Sequence, residues 1–159
     1  MSIAEITEFT VDLSEVPDPL PLPVRKYPAT VFEASLSLSK KGSPMIKVAY
    51  FIAPDAYPIE FDAENAPEGT KLSSYFVVNC GNPPSQPTKV GLARYRQLFE
   101  HHGVPMRSVT LRPRDDLAGA WGLAEDVINT LVGSRVHVTV VHEAFEGRDQ
   151  AKIGSISVD

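Results

Sequence analysis

The sequence predicts a mainly β domain with one or two helices, in which five strands curl into a small barrel. Five separate runs alternate apolar with polar residues, which is the two-residue period of a strand with one buried face. They follow the order strand, strand, strand, helix, strand, strand, whereas regular alternation of strands and helices would indicate a parallel sheet. Neither a tandem repeat nor a heptad run favours another architecture. We therefore expect an antiparallel sheet rich in hairpins.

The expected domain spans residues 24–159. With 159 residues in all, of which 43% are hydrophobic, the chain is long enough to bury one substantial core. Residues 1–23 contain acids but no base and end in a proline-rich run, so we expect an extended N-terminal arm. A second acidic stretch, residues 54–69, is expected to be a loop within the domain.

The first two strands are predicted to form a hairpin. The first strand starts near Tyr27 and places four apolar side chains on one face, Phe32, Ala34, Leu36 and Leu38. The second strand starts at Pro44, a position where a missing N–H is tolerated. Between them, the sequence SKKGS supplies the polar residues and the glycine of a tight turn.

A third strand and a helix follow. The run KLSSYFVVN alternates in the same way as the first two strands. Ser85 or Thr88 is then suited to cap a helix, and Gly103 is suited to end it. Four apolar side chains between these ends recur at helical intervals, Leu92, Tyr95, Leu98 and Phe99.

The chain closes with a short helix and two more strands. The segment AEDVINTLVG has acids in its first turn and a glycine after its last, as helix ends prefer. The strands SRVHVTVVHEAF and AKIGSISV are joined by EGRDQ, and Gly154 interrupts the alternation as a β-bulge would. This β-β-β-α-β-β order fits a five-stranded barrel of the OB type, with an α+β sandwich as the alternative.

Several short motifs carry a resemblance to a known family. They are LPLPVRKYPATVFEASL, SKKGSPMIKVAYFI, DDLAG, LVGSRVHVTVV and AKIGSISV, which together span most of residues 22–158. In this respect the chain resembles a phage family of single-stranded DNA-binding OB-fold proteins, formerly a domain of unknown function. The resemblance implies a protein that coats single strands during phage DNA replication or recombination, in the cytoplasm of the host cell.

The chain itself indicates a cytoplasmic protein. No apolar run approaches the ~20 residues that cross a bilayer, and the N-terminus lacks the basic start and apolar centre of a signal peptide. Cys80 is the only cysteine, which excludes an intrachain disulfide and agrees with a reducing compartment.

The charges are unevenly distributed along the chain. The formal net charge is -5, which at first sight disfavours a polyanionic partner. Residues 1–23 and 55–68, however, hold ten of the twenty acids and no base, so the rest has fifteen bases against ten acids. A locally basic face is therefore compatible with an acidic protein, and local potential steers a ligand more than the total charge does.

The predicted strand faces supply candidate residues for that basic face. If Phe32, Val48 and Phe76 point inward, four side chains point outward, Lys47, Phe51, Tyr75 and Val77. In an OB-type barrel the outer face of strands two and three is where oligonucleotides lie. Aromatic faces stack bases and cations hold phosphates. The alternative is that Phe51 and Tyr75 pack beneath the arm or the helix.

Further cations extend this candidate site. Lys40 and Lys41 occupy the predicted hairpin tip, where they either grip phosphate or merely keep the turn soluble. Arg25, Lys26 and Arg135 would lengthen the cationic track.

Trp121 lies between glycines and would either stack a base or cap the barrel. Arg112 and Arg114 are further cations that could join the site, but Asp115 and Asp116 follow them directly and are placed to neutralise their charge.

No residue pattern favours catalysis. His101 and His102 fall at a helix end, and His137 and His142 fall on opposite faces of one strand. There is no HExxH, no CxxC and no phosphate-binding glycine loop. We therefore expect no enzyme activity, no metal and no cofactor.

We expect a non-catalytic, sequence-tolerant single-stranded DNA-binding protein. Its partners would be single-stranded DNA and, through the acidic arm, replication or recombination proteins; it would not bind membranes, and association into homo-oligomers is left open. The alternative is an OB-like protein-interaction or virion assembly module that binds no nucleic acid. In that case the outward aromatics would form a subunit interface.

Overall fold

A five-stranded antiparallel sheet forms the body of the protein. The computed structural model describes residues 8–158. The sheet has the strand order β3-β2-β1-β6-β7, and a separate two-stranded sheet pairs β4 with β5. The strands are β1 (Arg25–Leu38), β2 (Pro44–Ile52), β3 (Thr70–Val77), β4 (Leu111–Arg114), β5 (Ala120–Leu123), β6 (Arg135–Phe145) and β7 (Arg148–Ser157). The helices are α1 (Lys89–His101) and α2 (Glu125–Ile128).

Strand β1 belongs to both halves of the sheet. Its residues 25–30 pair with β6, and its residues 30–38 pair with β2. The register shifts between Val31 and Glu33, so that Phe32 is left without a partner as a β-bulge. An extra residue bends a strand and reverses the face on which every later side chain lies.

The bulge corrects one prediction about the buried face. Val31 is buried before it and Ala34 after it, whereas Phe32 is 40% exposed. The prediction that Phe32 shares the inward face of Ala34 was therefore wrong. If the strand alternated without interruption, Phe32 would face the core. Because Phe32 is the extra residue of the bulge, its ring lies on the opposite side of the sheet.

The five-stranded antiparallel sheet itself is confirmed. Its outermost strands, β3 and β7, approach each other across a groove lined by residues 73–76 and 152–156. Within residues 8–158, no hydrogen-bonded pairing between these two strands closes the sheet into a barrel.

Helix α1 begins and packs as its sequence predicts. The Thr88 hydroxyl accepts a hydrogen bond from the Gly91 amide at 3.1 Å, so Thr88 and not Ser85 is the cap. Three of the four predicted apolar side chains, Tyr95, Leu98 and Phe99, are buried. Among residues 8–158, neither helix combines the length and apolar character that a membrane span requires.

A short hairpin, β4 and β5, lies between α1 and α2, in a stretch for which no strand was predicted. Leu111 pairs with Leu123 and Arg114 with Ala120. A side chain on Gly122 would come within 3.1 Å of the Leu36 side chain, so this hairpin packs directly over one end of β1. Four-residue strands show too few alternations to be distinguished from loop in the sequence.

The final hairpin is longer than predicted. Only Glu146 and Gly147 separate β6 from β7, so most of the expected EGRDQ linker is strand. The bulge predicted at Gly154 is confirmed, because Thr139 pairs with Ser155 and Val140 with Ile153, which leaves Gly154 without a partner.

The N-terminal arm attaches to the side of the sheet formed by β6 and β7. Residues 8–20 are exposed, and the chain first enters the core at Leu22, which is 3% exposed. The Leu22 carbonyl lies 2.8 Å from His142 Nε2, and Asp18 forms an ion pair with Arg148 at 3.3 Å. The arm is thus anchored away from β2 and β3.

A buried histidine links α1 to the sheet. His102 is 2% exposed, and its Nδ1 lies 2.7 Å from the Leu98 carbonyl, which can only accept a hydrogen bond. Nδ1 therefore carries the proton, and the unprotonated Nε2 accepts a hydrogen bond from the Tyr50 hydroxyl at 2.6 Å. Burial lowers the pKa of His102 below its usual value and raises that of Tyr50.

This arrangement makes the folded state sensitive to acid. The unfolded chain takes up a proton on His102 as the pH falls through about 6.5, while the folded chain resists it because its pKa is lower. Stability from His102 is therefore complete above pH about 6.5 and is lost as the pH falls toward the lowered pKa. We expect the wild type's free energy of unfolding by urea to exceed that of His102→Gln at pH 7.5 and this excess to shrink as the pH falls to 5. An excess that does not change with pH would contradict this assignment.

The start of α1 tolerates no side chain at one position. A Cβ on Gly91 would lie 2.4 Å from the Asn79 carbonyl oxygen and 2.8 Å from the Cys80 Cα, both backbone atoms. We expect Gly91→Ala to lower the free energy of unfolding by about 1 to 3 kcal/mol, although alanine favours a helix by about 1 kcal/mol. Val90→Ala, at an exposed neighbouring position, is the control. Equal urea midpoints for the two variants would refute the close approach.

Candidate nucleic-acid interface

One side of the β1-β2-β3 sheet carries both cations and aromatic rings. Side chains that point away from the buried core alternate along each strand, because successive residues of a strand face opposite sides. We call this surface the outer face and define it by seven side chains, Phe32, Glu33, Lys47, Phe51, Lys71, Tyr75 and Val77.

Tyr75 and Lys47 form the centre of the outer face. They are direct partners in the β2–β3 ladder, so their side chains lie next to each other. Tyr75 is 59% exposed, and it also lines a shallow depression together with side chains of α1. The Lys47 ammonium lies 4.0 Å from a Glu33 carboxylate oxygen, a separation at which an exposed ion pair contributes little. Both side chains point outward, as the sequence predicted.

Phe32 and Lys71 lie toward the Phe51 end of the outer face, where Lys71 is the ladder partner of Phe51, and neither was predicted as a site residue. The Lys71 ammonium lies 5.4 Å from the centre of the Phe32 ring, within the range of a cation–π contact. Lys71 could have been predicted from the sequence, because it lies four positions before Tyr75 in the third strand and therefore faces the same side of the sheet. Phe32 could not, because its exposure depends on the bulge.

Phe51 is only half open. It points outward as predicted, but a Cβ on Gly69 would lie 2.2 Å from its ring, so the end of the acidic loop lies directly against one side of it. Phe51 also lines a depression together with residues of β1 and β6. In the paired strands, Phe51 lies opposite Thr30, and Thr30 lies opposite Arg135.

The three predicted flanking cations have different surroundings. Arg135 is exposed and continues the row that starts at Phe51. Arg25 is paired with Glu60 of the acidic loop at 2.8 Å, which offsets its charge. Lys26 is exposed and lies opposite Thr139 on β6.

Lys40 and Lys41 protrude from the tip of the first hairpin. The Ser39 amide donates to the Ser43 carbonyl at 2.8 Å, and Gly42 adopts a φ of +80° that favours glycine. Both lysines are exposed, so the tip presents two ammonium groups at one end of the outer face.

Trp121 lies at the same end of the sheet, but its indole N–H bonds to another part of the protein. Its indole N–H donates to the Ser85 carbonyl at 2.8 Å, and the ring is half-buried. The nearby Arg114 guanidinium donates to Asp116 at 2.8 Å and holds the pKa of that carboxyl below its usual value. The sequence anticipated this neutralisation of Arg114.

The site is therefore a band of alternating cations and rings. From Lys47 to Phe51 along β2 it extends for about 13 Å, at about 3.3 Å per residue. Lys40 and Lys41 lie beyond one end and Arg135 beyond the other. No three His, Cys, Asp or Glu side chains within residues 8–158 are grouped to hold a metal ion.

Comparison with protein-family models and a search of curated proteins found no match to this chain.

Proposed function

We propose that the protein binds single-stranded DNA on its outer face, without strong sequence preference. The observation that carries the proposal is the exposed Tyr75 ring beside Lys47, with Phe32 and Lys71 farther along the same face, next to Phe51. Every base has a π-face, so stacking on aromatic side chains tolerates any sequence, and each stacked base contributes about 1 to 3 kcal/mol.

The cations supply the second requirement. Lys47 lies beside Tyr75, and Lys71 lies opposite Phe51 and over the Phe32 ring, so each cation has positive potential to offer the phosphate of a base stacked nearby. Lys40, Lys41 and Arg135 extend this positive potential to both ends of the band. A duplex hides the faces of its bases inside the helix, so it would gain the phosphate contacts but not the stacking.

The strand connections support an OB-type barrel as the framework. In such a barrel, strand one pairs with strands two and four, and strand five returns to strand three. Here β1 pairs with β2 and β6, and β7 lies across a narrow groove from β3. The outer face then corresponds to the surface on which OB-type barrels bind oligonucleotides.

The biological setting is proposed from the family resemblance. A non-catalytic protein of this kind would cover single strands during phage DNA replication or recombination, in the host cytoplasm. The exposed acidic arm would contact other replication or recombination proteins. A protein-interaction or virion assembly module would use the same exposed rings, but its binding would not depend on phosphate charge.

The proposal is tested by fluorescence anisotropy with a labelled thymine 30-mer at low and moderate salt, with duplex as competitor. We expect Tyr75→Ala to weaken binding about 5- to 150-fold, since it removes one stacking platform. Lys47→Ala should reduce the slope of log affinity against log salt by about 0.7.

Phe145→Ala and Lys89→Ala are the matched controls, because both side chains are exposed away from the outer face. They should bind as the wild type does. Absence of binding at low salt, or binding that duplex displaces equally well, would reject the proposal and favour the assembly module.

The acidic arm should oppose strand binding electrostatically. Glu8, Asp12 and Glu15 precede the anchor at Asp18, and none of the three forms an ion pair with another of residues 8–158. Deleting residues 1–17 should therefore tighten binding of the thymine 30-mer at low salt, and the gain should shrink as salt screens the repulsion. Affinities of the full and shortened chains across a salt series measure this. Identical affinity at low salt would show that the arm does not influence the site.

A further inference from the structure

A cleft adjoins the outer face where β2, β1 and β6 lie side by side. Its position follows from the ladders: Thr30 lies between Phe51 and Arg135, and Pro28 lies opposite His137. Asp55 and Ala56, from the turn after β2, and Val158, which follows β7, also line the cleft.

The cleft combines a ring, a cation and a carboxylate. Phe51 lines the cleft, and Gly69 lies against one side of its ring. Arg135 and Asp55 are both exposed and line the same depression from opposite sides, Arg135 from β6 and Asp55 from the turn after β2.

His137 adds a polar atom without a partner. Its Nδ1 is buried and makes no hydrogen bond with any of residues 8–158. A buried polar atom without a partner costs about 1 to 3 kcal/mol in general. His137 lines the cleft together with Arg135, but its Nδ1 points into the protein and is not the group that contacts a ligand there.

We propose that this cleft is a nucleobase subsite that prefers bases with an exocyclic amino group. The inference rests on the proposed single-strand binding and deepens it. The base would lie against Phe51 and Pro28, its amino group would donate to the Asp55 carboxylate, and Arg135 would hold the adjoining phosphate. Cytosine, adenine and guanine have that amino group, and thymine does not.

Asp55 distinguishes this site from a simple phosphate site. A carboxylate beside a bound phosphate repels it, so its presence in a cationic cleft disfavours an anion alone. The same carboxylate is a natural acceptor for the cytosine amino group. The cleft therefore fits a whole nucleotide, with its base toward Asp55 and its phosphate toward Arg135.

The test compares cytosine and thymine 12-mers bound to the full chain at pH 7.5. The wild type should bind the cytosine 12-mer at least about fivefold more tightly than the thymine 12-mer. Asp55→Ala should bring the ratio of the two affinities close to one. Arg135→Ala should weaken both oligomers similarly and keep the ratio.

Glu64→Ala is the control, because it removes an equal charge from the same acidic loop outside the cleft. Removing either acid strengthens binding to any anion, so only the ratio reports the subsite. A wild-type ratio near one, or a ratio that survives Asp55→Ala, would overturn the subsite while Tyr75-dependent thymine binding still supported the proposed function. Failure to bind either oligomer would overturn both.

Discussion

The structure depends on one constraint, which is that β1 must pair with β6 along its first half and with β2 along its second. A straight strand cannot pair with two halves of a sheet that bend toward each other. The bulge at Phe32 solves this by bending β1 and increasing its local twist. The bend brings β7 near β3, and it also reverses which side chains of β1 face the core. The same extra residue therefore shapes the sheet and exposes a ring beside Lys71.

Much of this architecture was readable in the sequence, because its causes are local. Alternation predicted the five strands of the main sheet, and Thr88 and Gly154 marked a helix cap and a bulge. The missed features depend on tertiary context. Nothing local marks Phe32 as the extra residue, since uninterrupted alternation fits the sequence equally well. The β4–β5 hairpin is too short to show a period and exists because it covers Leu36 at the end of β1.

The sequence predicted which way the side chains of the candidate site point better than it predicted how accessible they are. Lys47 and Tyr75 point outward as their parity requires. Phe51 also has the correct parity, yet Gly69, eighteen positions later, takes up the space on one side of its ring. The alternation of side chains along a strand decides the face on which each one lies. Contacts between distant segments decide how much of that side chain a ligand can reach. For that reason Phe51 belongs as much to the cleft near Arg135 as to the open band.

The acidic segments of the sequence are fixed in place by ion pairs with basic residues of the sheet. The acidic arm is tied to β6 and β7 through Asp18 and Arg148, and the acidic loop is tied to the start of β1 through Glu60 and Arg25. Each ion pair is exposed and adds little stability, so its consequence is chiefly positional. It holds negative charge at the margins of the outer face. A protein with a net charge of -5 can thus present lysines among open rings, and the surrounding acids would disfavour polyanions that gain nothing from stacking.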